Sequence, residues 1–232
     1  MFKKLKESRE AAREVRAHAE VVQRVGDLSL AATRAHEAYE AAQLSTSESR
    51  VQGVQLKKGE VAYLVLSGAG LVEPRRGPTQ WVGGSQGVSF RIAKGMRYHV
   101  GGTRGHVVQG EERPTVIDTG LGVITNQRIT FIGGKRSAEW AFAKLLGFSL
   151  ELDSMAIFNV SNRQKASGLA YPPSTDLVVD AVVSAAVAAF QSADDLAQVV
   201  QGYRTLYEAS YAKWSAANSE FPGIPAAKPL TK

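Results

Sequence analysis

Two periodicities divide the chain. From residue 2 to 44 the polar and apolar positions follow a helical spacing, with no proline and only Gly26 as an interior weak point. Leu5, Ala12, Val15, Ala19 and Val22 fall at intervals of 7, 3, 4 and 3, an a/d seam carried for barely three heptads. A seam so narrow and alanine-rich needs a partner surface. The pattern slips at "VGDLS" (25–29), where Asp27 or Ser29 could cap a second helix through Leu44. The expectation is either one kinked helix or a helical hairpin. Glu7, Glu10, Glu14 and Glu20 interleave with the arginines, which favours a salt-bridged surface over a helix lying on a membrane.

Small polar residues in "STSESRVQG" (45–53) mark a linker, after which alternation with a period of two takes over. Strands are expected in 60–73, 87–92, 96–100, 115–125, 128–133, 137–142, 148–152 and 155–161, with a further candidate at 167–171. Short strands this closely spaced argue for an antiparallel sandwich or barrel. No helix long enough for a crossover intervenes, so a Rossmann-like parallel sheet is excluded. "YPPST" (171–175) ends the strands, because proline neither donates to a ladder nor continues a helix. Ser174 or Thr175 then caps a helix from Asp176 to about Phe190 that is apolar almost all round, and is therefore expected to be buried. Ser192 and Asp195 make a capping-box-like start to another helix, with Leu196, Val199, Val200, Tyr203, Leu206, Tyr207 and Trp214 on one face to about Asn218. A loose proline-containing tail follows, and no internal repeat is evident.

The strongest strand signal is "ITNQRITFIGGKRSAEWAF" (124–142). Its apolar alternation on both sides of Gly133-Gly134 predicts a tight hairpin in which the glycines supply positive φ angles, and "TNQR" (125–128) predicts a second turn before it. The stretch, continued to "AKLLGFSLE" and "MAIFNVSNRQ", resembles bacterial PH-like domains, related in fold to the GRAM and pleckstrin-homology superfamily. Ile124, Thr125, Arg128, Ile129, Thr130, Phe131, Gly133, Glu139, Trp140 and Lys144 carry the likeness. The resemblance implies seven strands in two near-orthogonal sheets over 51–190, closed at one end by a C-terminal helix, a role that suits Asp176 to Phe190. The length between 67 and 114 exceeds the family minimum. Members that bind phosphoinositides use lysines and arginines near the first hairpin. Arg91, Lys94, Arg97 and Arg104 are loosely placed for that, without reproducing the family's lysine and arginine pattern.

With 232 residues, 44% of them hydrophobic, the chain can bury a sizeable core. It contains no cysteine, so disulfides, thiolate nucleophiles and cysteine-ligated metals are excluded, which fits a reducing, cytoplasmic setting. No apolar run long enough for a signal peptide or a membrane span is found; the longest, Leu177 to Phe190, is interrupted by Asp180 and Ser184. The net charge of +6 is uneven: +1 over 1–50, +7 over 51–171 and −2 over 172–232. Arg75, Arg76, Arg91, Lys94, Arg97 and Arg104 follow one another with no acidic residue between Glu73 and Glu111. Such a run attracts phosphates, nucleic acid or an acidic membrane, and its simplest role is solubility. Arg75 and Arg76 read as a loop tip.

Catalytic chemistry finds little footing. "GGTRG" and "GGKRS" lack the spacing of a nucleotide-binding glycine loop. His99 and His106 flank a glycine-rich turn and could face each other across a hairpin, but no acidic cluster completes a metal site. Asp118 and Glu139 fit turn hydrogen bonds or pairs with Arg128 or Lys135 better than general acid–base work, and no GxSxG elbow accompanies the serines. The barrel aromatics sit at core positions, leaving no stacking platform for nucleic acid.

These observations describe an α+β protein: an N-terminal helical segment and linker (1–50), a PH-like antiparallel β-barrel or sandwich with its capping helix (51–190), and a C-terminal amphipathic helix with tail (191–232). The expected role is a non-enzymatic binding or scaffold module without cofactor or metal, partnered by another protein or by itself. The alternative is a peripheral binder of anionic lipid or nucleic acid through a basic loop face. Candidate ligand-binding residues are Arg91, Lys94, Arg97, Arg104, Lys135 and Arg136.

Overall fold

The structure is a computed structural model. It describes residues 2–45, 53–76, 80–93, 96–108, 112–151 and 154–220, and for 2–12, 14, 80–93, 96–108, 151 and 220 the backbone alone. Three helices and nine strands follow in the order α1 (Phe2–Ala42), β1 (Ala62–Arg76), β2 (Gln80–Ala93), β3 (Met96–Val108), β4 (Glu112–Thr125), β5 (Arg128–Gly133), β6 (Ser137–Ala141), β7 (Leu145–Glu151), β8 (Met155–Val160), β9 (Ser167–Ala170), α2 (Asp176–Gln191) and α3 (Ala193–Glu220). Seven strands form one antiparallel sheet in the order β6-β5-β4-β1-β9-β8-β7, which is not closed, while β2 and β3 form a separate two-stranded ribbon.

The core lies on one face of the sheet. Trp140, Phe131 and Phe158 are fully buried there, and α2 lays Val179, Val182, Val183, Ala186 and Val187 against them. Pro173–Gln191 is long and apolar enough to cross a membrane by length and composition. Here its apolar surface is taken up on both sides, by the sheet and by the other helices. Ala181 and Ala185 meet Ala38 and Ala42 of α1, and Leu196, Val199, Val200 and Tyr203 of α3 complete that cluster. The small side chains let the helices approach closely. The Tyr171 hydroxyl donates to Asp180 Oδ1 at 2.7 Å, tying the end of β9 to α2, and burial pushes both groups above their ordinary pKa values.

α1 is one continuous 41-residue helix, not a hairpin. Asp27 and Ser29 cap nothing: Asp27 accepts from the Gln23 side chain and Ser29 offers its carbonyl to Thr33, both inside the helix. Against α3 it turns Val21, Val25, Leu28 and Ala32, which pack with Tyr211, Trp214 and Ala217. The seam expected from its first half faces outward instead, with Val15 69% and Val22 44% exposed. Thr175 is the N-cap residue of α2 but makes no side-chain cap, its hydroxyl donating to the Pro172 carbonyl. The capping box of α3 forms as expected, with the Asp195 amide donating to Ser192 Oγ and that hydroxyl to Asp195 Oδ2. Leu206 leaves the expected face and is 41% exposed.

The glycine-rich stretch between His99 and His106, read as a turn, lies inside a strand. β2 and β3 pair from Gln80↔Val108 to Ala93↔Met96, with Ser89↔His99 and Val82↔His106. The two histidines therefore share one strand, seven residues and roughly 23 Å apart, and do not face each other across a hairpin. Arg75 and Arg76, read as a loop tip, continue β1 opposite Arg113 and Glu112.

The β5–β6 hairpin forms where expected, for a different reason. Neither Gly133 nor Gly134 has a positive φ. The Gly133 amide donates to the Arg136 carbonyl at 2.8 Å, and the amides of Lys135 and Arg136 donate to Asp118 Oδ2 at 2.9 and 2.8 Å. Gly133 is needed for room, because a Cβ there would run into the Asp118 carboxylate and the Phe131 ring. Gly133→Ala is expected to cost on the order of 1–3 kcal/mol by overpacking, read as a lowered urea midpoint, whereas Gly134→Ala, whose Cβ meets nothing within 4 Å, leaves it nearly unchanged.

Candidate functional site

β9 pairs with β1 only over Gly70–Val72, so from Glu73 to Arg76 the ladder partner of β1 is β4 alone. Pro74 stands opposite Pro114 in this two-stranded stem. Neither can donate a backbone hydrogen bond, which blunts the stem against further strand pairing. β2 and β3 are inserted beyond the stem, 14 and 13 residues long and roughly 45 Å in extent. Residues 80–108 contain Arg91, Lys94, Arg97 and Arg104 and no acidic residue. Arg91 pairs in register with Arg97, and Arg104 with Gly84. Lys94 lies outside the described residues. The ribbon thus unites three of the four loop cations expected from sequence, on one β-arm instead of separate loops.

Beside the stem opens a cleft of about 660 Å³, lined by Glu73 and Pro74 of β1, Arg136 and Ser137 of the β5–β6 hairpin, and Arg163, Gln164 and Lys165 of the β8–β9 connection. Arg136 Nη1 lies 3.3 Å from Glu73 Oε1, and Arg75 Nη2 lies 3.3 Å from Glu73 Oε2. Lys165 Nζ and Arg76 Nε lie 2.8 and 3.1 Å from Glu112 Oε1. Lys165, followed by Arg76, holds the Glu112 carboxyl below its ordinary pKa. Arg163 stacks on Trp140, its guanidinium carbon 5.6 Å from the ring centroid, and donates to Ser167 Oγ, which also accepts from the Trp140 indole.

Three cations, Arg136, Arg163 and Lys165, and one carboxylate, Glu73, line the cleft, and Arg75, Arg76 and Glu112 pair beside it, so positive charge is in excess at the root of the arm. The rim pairs are exposed, with Arg136, Arg76 and Lys165 side chains 53%, 62% and 62% accessible. Such exposed pairs contribute little, so a carboxylate can be displaced from them at little cost. The hairpin tip itself is no phosphate cradle. Its amides already hold the Asp118 carboxylate, which those hydrogen bonds, that of Lys135 first, keep below its ordinary pKa.

Of the candidates read from sequence, Arg136 lines the cleft and Lys135 is exposed at its hairpin tip. Arg163 and Lys165 were missed, although "NRQK" between two strand patterns was visible. Glu60 was missed as well, and it anchors a second charged cluster. Arg128 donates through Nε and Nη2 to Glu60 at 2.7 and 2.9 Å, and through Nη1 to Glu139 at 2.6 Å. Lys57 reaches the other oxygen of Glu139, so Glu139 is indeed a partner of Arg128. The Glu60 side chain is 0% and that of Arg128 9% exposed. This cluster is structural, pinning the segment before β1 to the β4–β5 turn, where Asn126 also accepts from the Val61 amide.

Among the described residues no three His, Asp or Glu side chains converge as a metal site would require. Comparison with protein-family models, curated proteins and solved structures gives no match for the chain.

Proposed function

We propose that the protein is a non-enzymatic binding module of PH-like architecture, which holds a phosphorylated headgroup in the cleft and lays its basic arm on an anionic membrane surface. Once the inserted ribbon is set aside, seven strands followed by α2 stand between α1 and α3, the strand count and closing helix that the resemblance implies, although in one open sheet and not two. The helix α2 covers the sheet as the closing helix would. The cleft borders the first hairpin of that sheet, where phosphoinositide-binding members of the superfamily carry their cations. The observation that carries the reading is the excess of cations around an open cleft at the foot of an arm that has no acidic residue.

A membrane fits the arm better than nucleic acid does. Between Val88 and Val100 the arm carries Phe90, Ile92, Met96 and Tyr98 beside its cations and no Asn, Gln, Asp or Glu. Aromatic and basic residues together suit the headgroup level of a bilayer, whereas that stretch has none of the amide and carboxylate side chains that read adenine and cytosine and keeps only arginine contacts to guanine. The non-enzymatic reading rests on the cleft's titratable groups, which are cations and salt-bridged carboxylates.

Vesicle co-sedimentation tests the proposal. Binding is expected to vesicles containing phosphatidylserine or a phosphoinositide, not to phosphatidylcholine alone, and to weaken with salt. A soluble inositol phosphate that competes assigns the ligand to the headgroup. Arg136→Glu with Lys165→Glu is expected to cost at least about 2 kcal/mol, more than tenfold in affinity, at an unchanged melting temperature. No vesicle binding at low ionic strength, or tighter binding to duplex DNA than to vesicles, overturns it.

A further inference from the structure

We infer that α1 pairs antiparallel with α1 of a second copy of this chain, through the stripe that faces away from α3. The stripe expected to end at Val22 continues to Gly26 and Leu30, so that Leu5, Ala12, Val15, Ala19, Val22, Gly26 and Leu30 share one helical face over roughly 38 Å. That face lies roughly 140° around the helix from the one packed on α3. Val15, Val22 and Leu30 are 69%, 44% and 53% exposed, so three large apolar side chains of one helix line up in solvent. α1 therefore has two apolar faces, and the rest of the chain's described residues cover only one.

Gly26 supplies an independent reason. Glycine inside a helix costs about 1 kcal/mol relative to alanine, and a Cβ at Gly26 would meet nothing within 4 Å. Among the described residues nothing approaches Gly26 to repay that cost. A second helix crossing there would, because glycine, with Ala12 and Ala19 beside it, lets two backbones approach closely.

Charge chooses the partner and its direction. By helical register Arg9, Arg16, Glu20 and Asp27 lie along one flank of the stripe, and the other flank carries Ala11, His18 and Ser29. In an antiparallel pair a flank meets itself. With the two-fold axis near residues 17 and 18, Val15 meets Ala19 of the other copy, Ala12 meets Val22, and Leu5 meets Leu30. The same register sets Arg16 opposite Glu20 and Arg9 opposite Asp27, each pair occurring twice. A parallel pair would bring that flank against the one of Ala11, His18 and Ser29, whose charges by register are Lys4 and Glu7 in the first two turns alone, and would lose all of these contacts. The axis also lies away from the C-terminal half of α1, where α2 and α3 are packed, so the two bodies sit at opposite ends of the helix pair.

Light scattering on the full chain without vesicles is expected to give twice 24.9 kDa, whatever the outcome of vesicle co-sedimentation. Val15→Glu and Val22→Glu are expected to give the monomer mass with unchanged helical content, both sites being exposed in a single copy. Glu20→Arg is expected to weaken the dimer at least tenfold, and Arg16→Glu with Glu20→Arg to restore it. The chain has no cysteine, so an equimolar mixture of Val15→Cys and Ala19→Cys proteins should form a disulfide between copies, which Val15→Cys alone should not. A monomer mass for the wild type, a dimer indifferent to Val15→Glu and Val22→Glu, or efficient cross-linking of Val15→Cys to itself overturns the inference.

Discussion

Replacing Glu60 with alanine is expected to destabilise the protein by about 3–5 kcal/mol, roughly 6–20 °C in melting temperature for a chain of this size. The Glu60 side chain is fully buried and satisfies two Arg128 nitrogens, the Lys57 amide and the Thr125 hydroxyl. Truncating it strands a guanidinium that is 9% exposed with one carboxylate partner, Glu139. The cost is that of the abandoned charge. Glu60→Leu with Arg128→Met, which removes both charges, should recover most of the loss, since a buried pair often breaks even against apolar residues of similar volume. If the double variant were no more stable than Glu60→Ala, packing alone would account for the site.

The same cluster sets an acid limb. Burial opposes the charge on Glu60 and on Glu139, but the hydrogen bonds and positive charge of Arg128, with Lys57, hold both carboxyls below their ordinary value of 4.5. A depressed folded-state pKa means that the unfolded chain binds protons first as pH falls. The stabilisation is therefore complete above about pH 4.5 and is lost as pH drops through the lower folded values. Thermal melts from pH 7 to pH 3 should show this loss in the wild type and a shallower one in Glu60→Ala.

This cluster also shows what the sequence makes legible. "TNQR" announces a turn because short polar residues separate two β-branched runs, and that local chemistry is enough. That Thr125 and Arg128 are sunk against Glu60, 65 and 68 residues earlier, has no local sign. The Gly133-Gly134 hairpin was readable by position but not by cause, since the close approach of Asp118 and Phe131 exists only once β4 and β5 are paired. The stretch 100–105 misled for a related reason. Glycine pairs ordinarily break strands, yet here two glycine-rich runs face each other in register, Gly83 opposite Gly105 and Gly87 opposite Gly101. A pairing between segments has no signature in either one. The outer stripe of α1 was legible as a helical seam, while the face that packs on α3 was not, because the two are interleaved and only the folded chain says which is covered.

Excision of the arm should separate binding from folding. Arg76 and Glu112 are ladder partners at the end of the stem, so joining them through Asn-Gly in place of residues 77–111 closes a hairpin of ordinary geometry. Among the described residues, neither strand of the ribbon pairs into the seven-stranded sheet. The melting temperature should therefore stay within a few degrees of the wild type, about 1 kcal/mol. The excised segment carries Arg91, Lys94, Arg97 and Arg104 against Glu111, a net charge of +3. At about 1 kcal/mol per basic charge near an anionic bilayer, affinity should fall by roughly 3 kcal/mol, about a hundredfold. Its remaining salt dependence should be shallower, because only the cleft cations are left to be screened. Unchanged vesicle affinity would place the whole interaction in the cleft and leave the arm for another partner. A fall in stability of several kcal/mol would mean that the ribbon folds onto the sheet, and the arm could not then be the element that reaches the membrane.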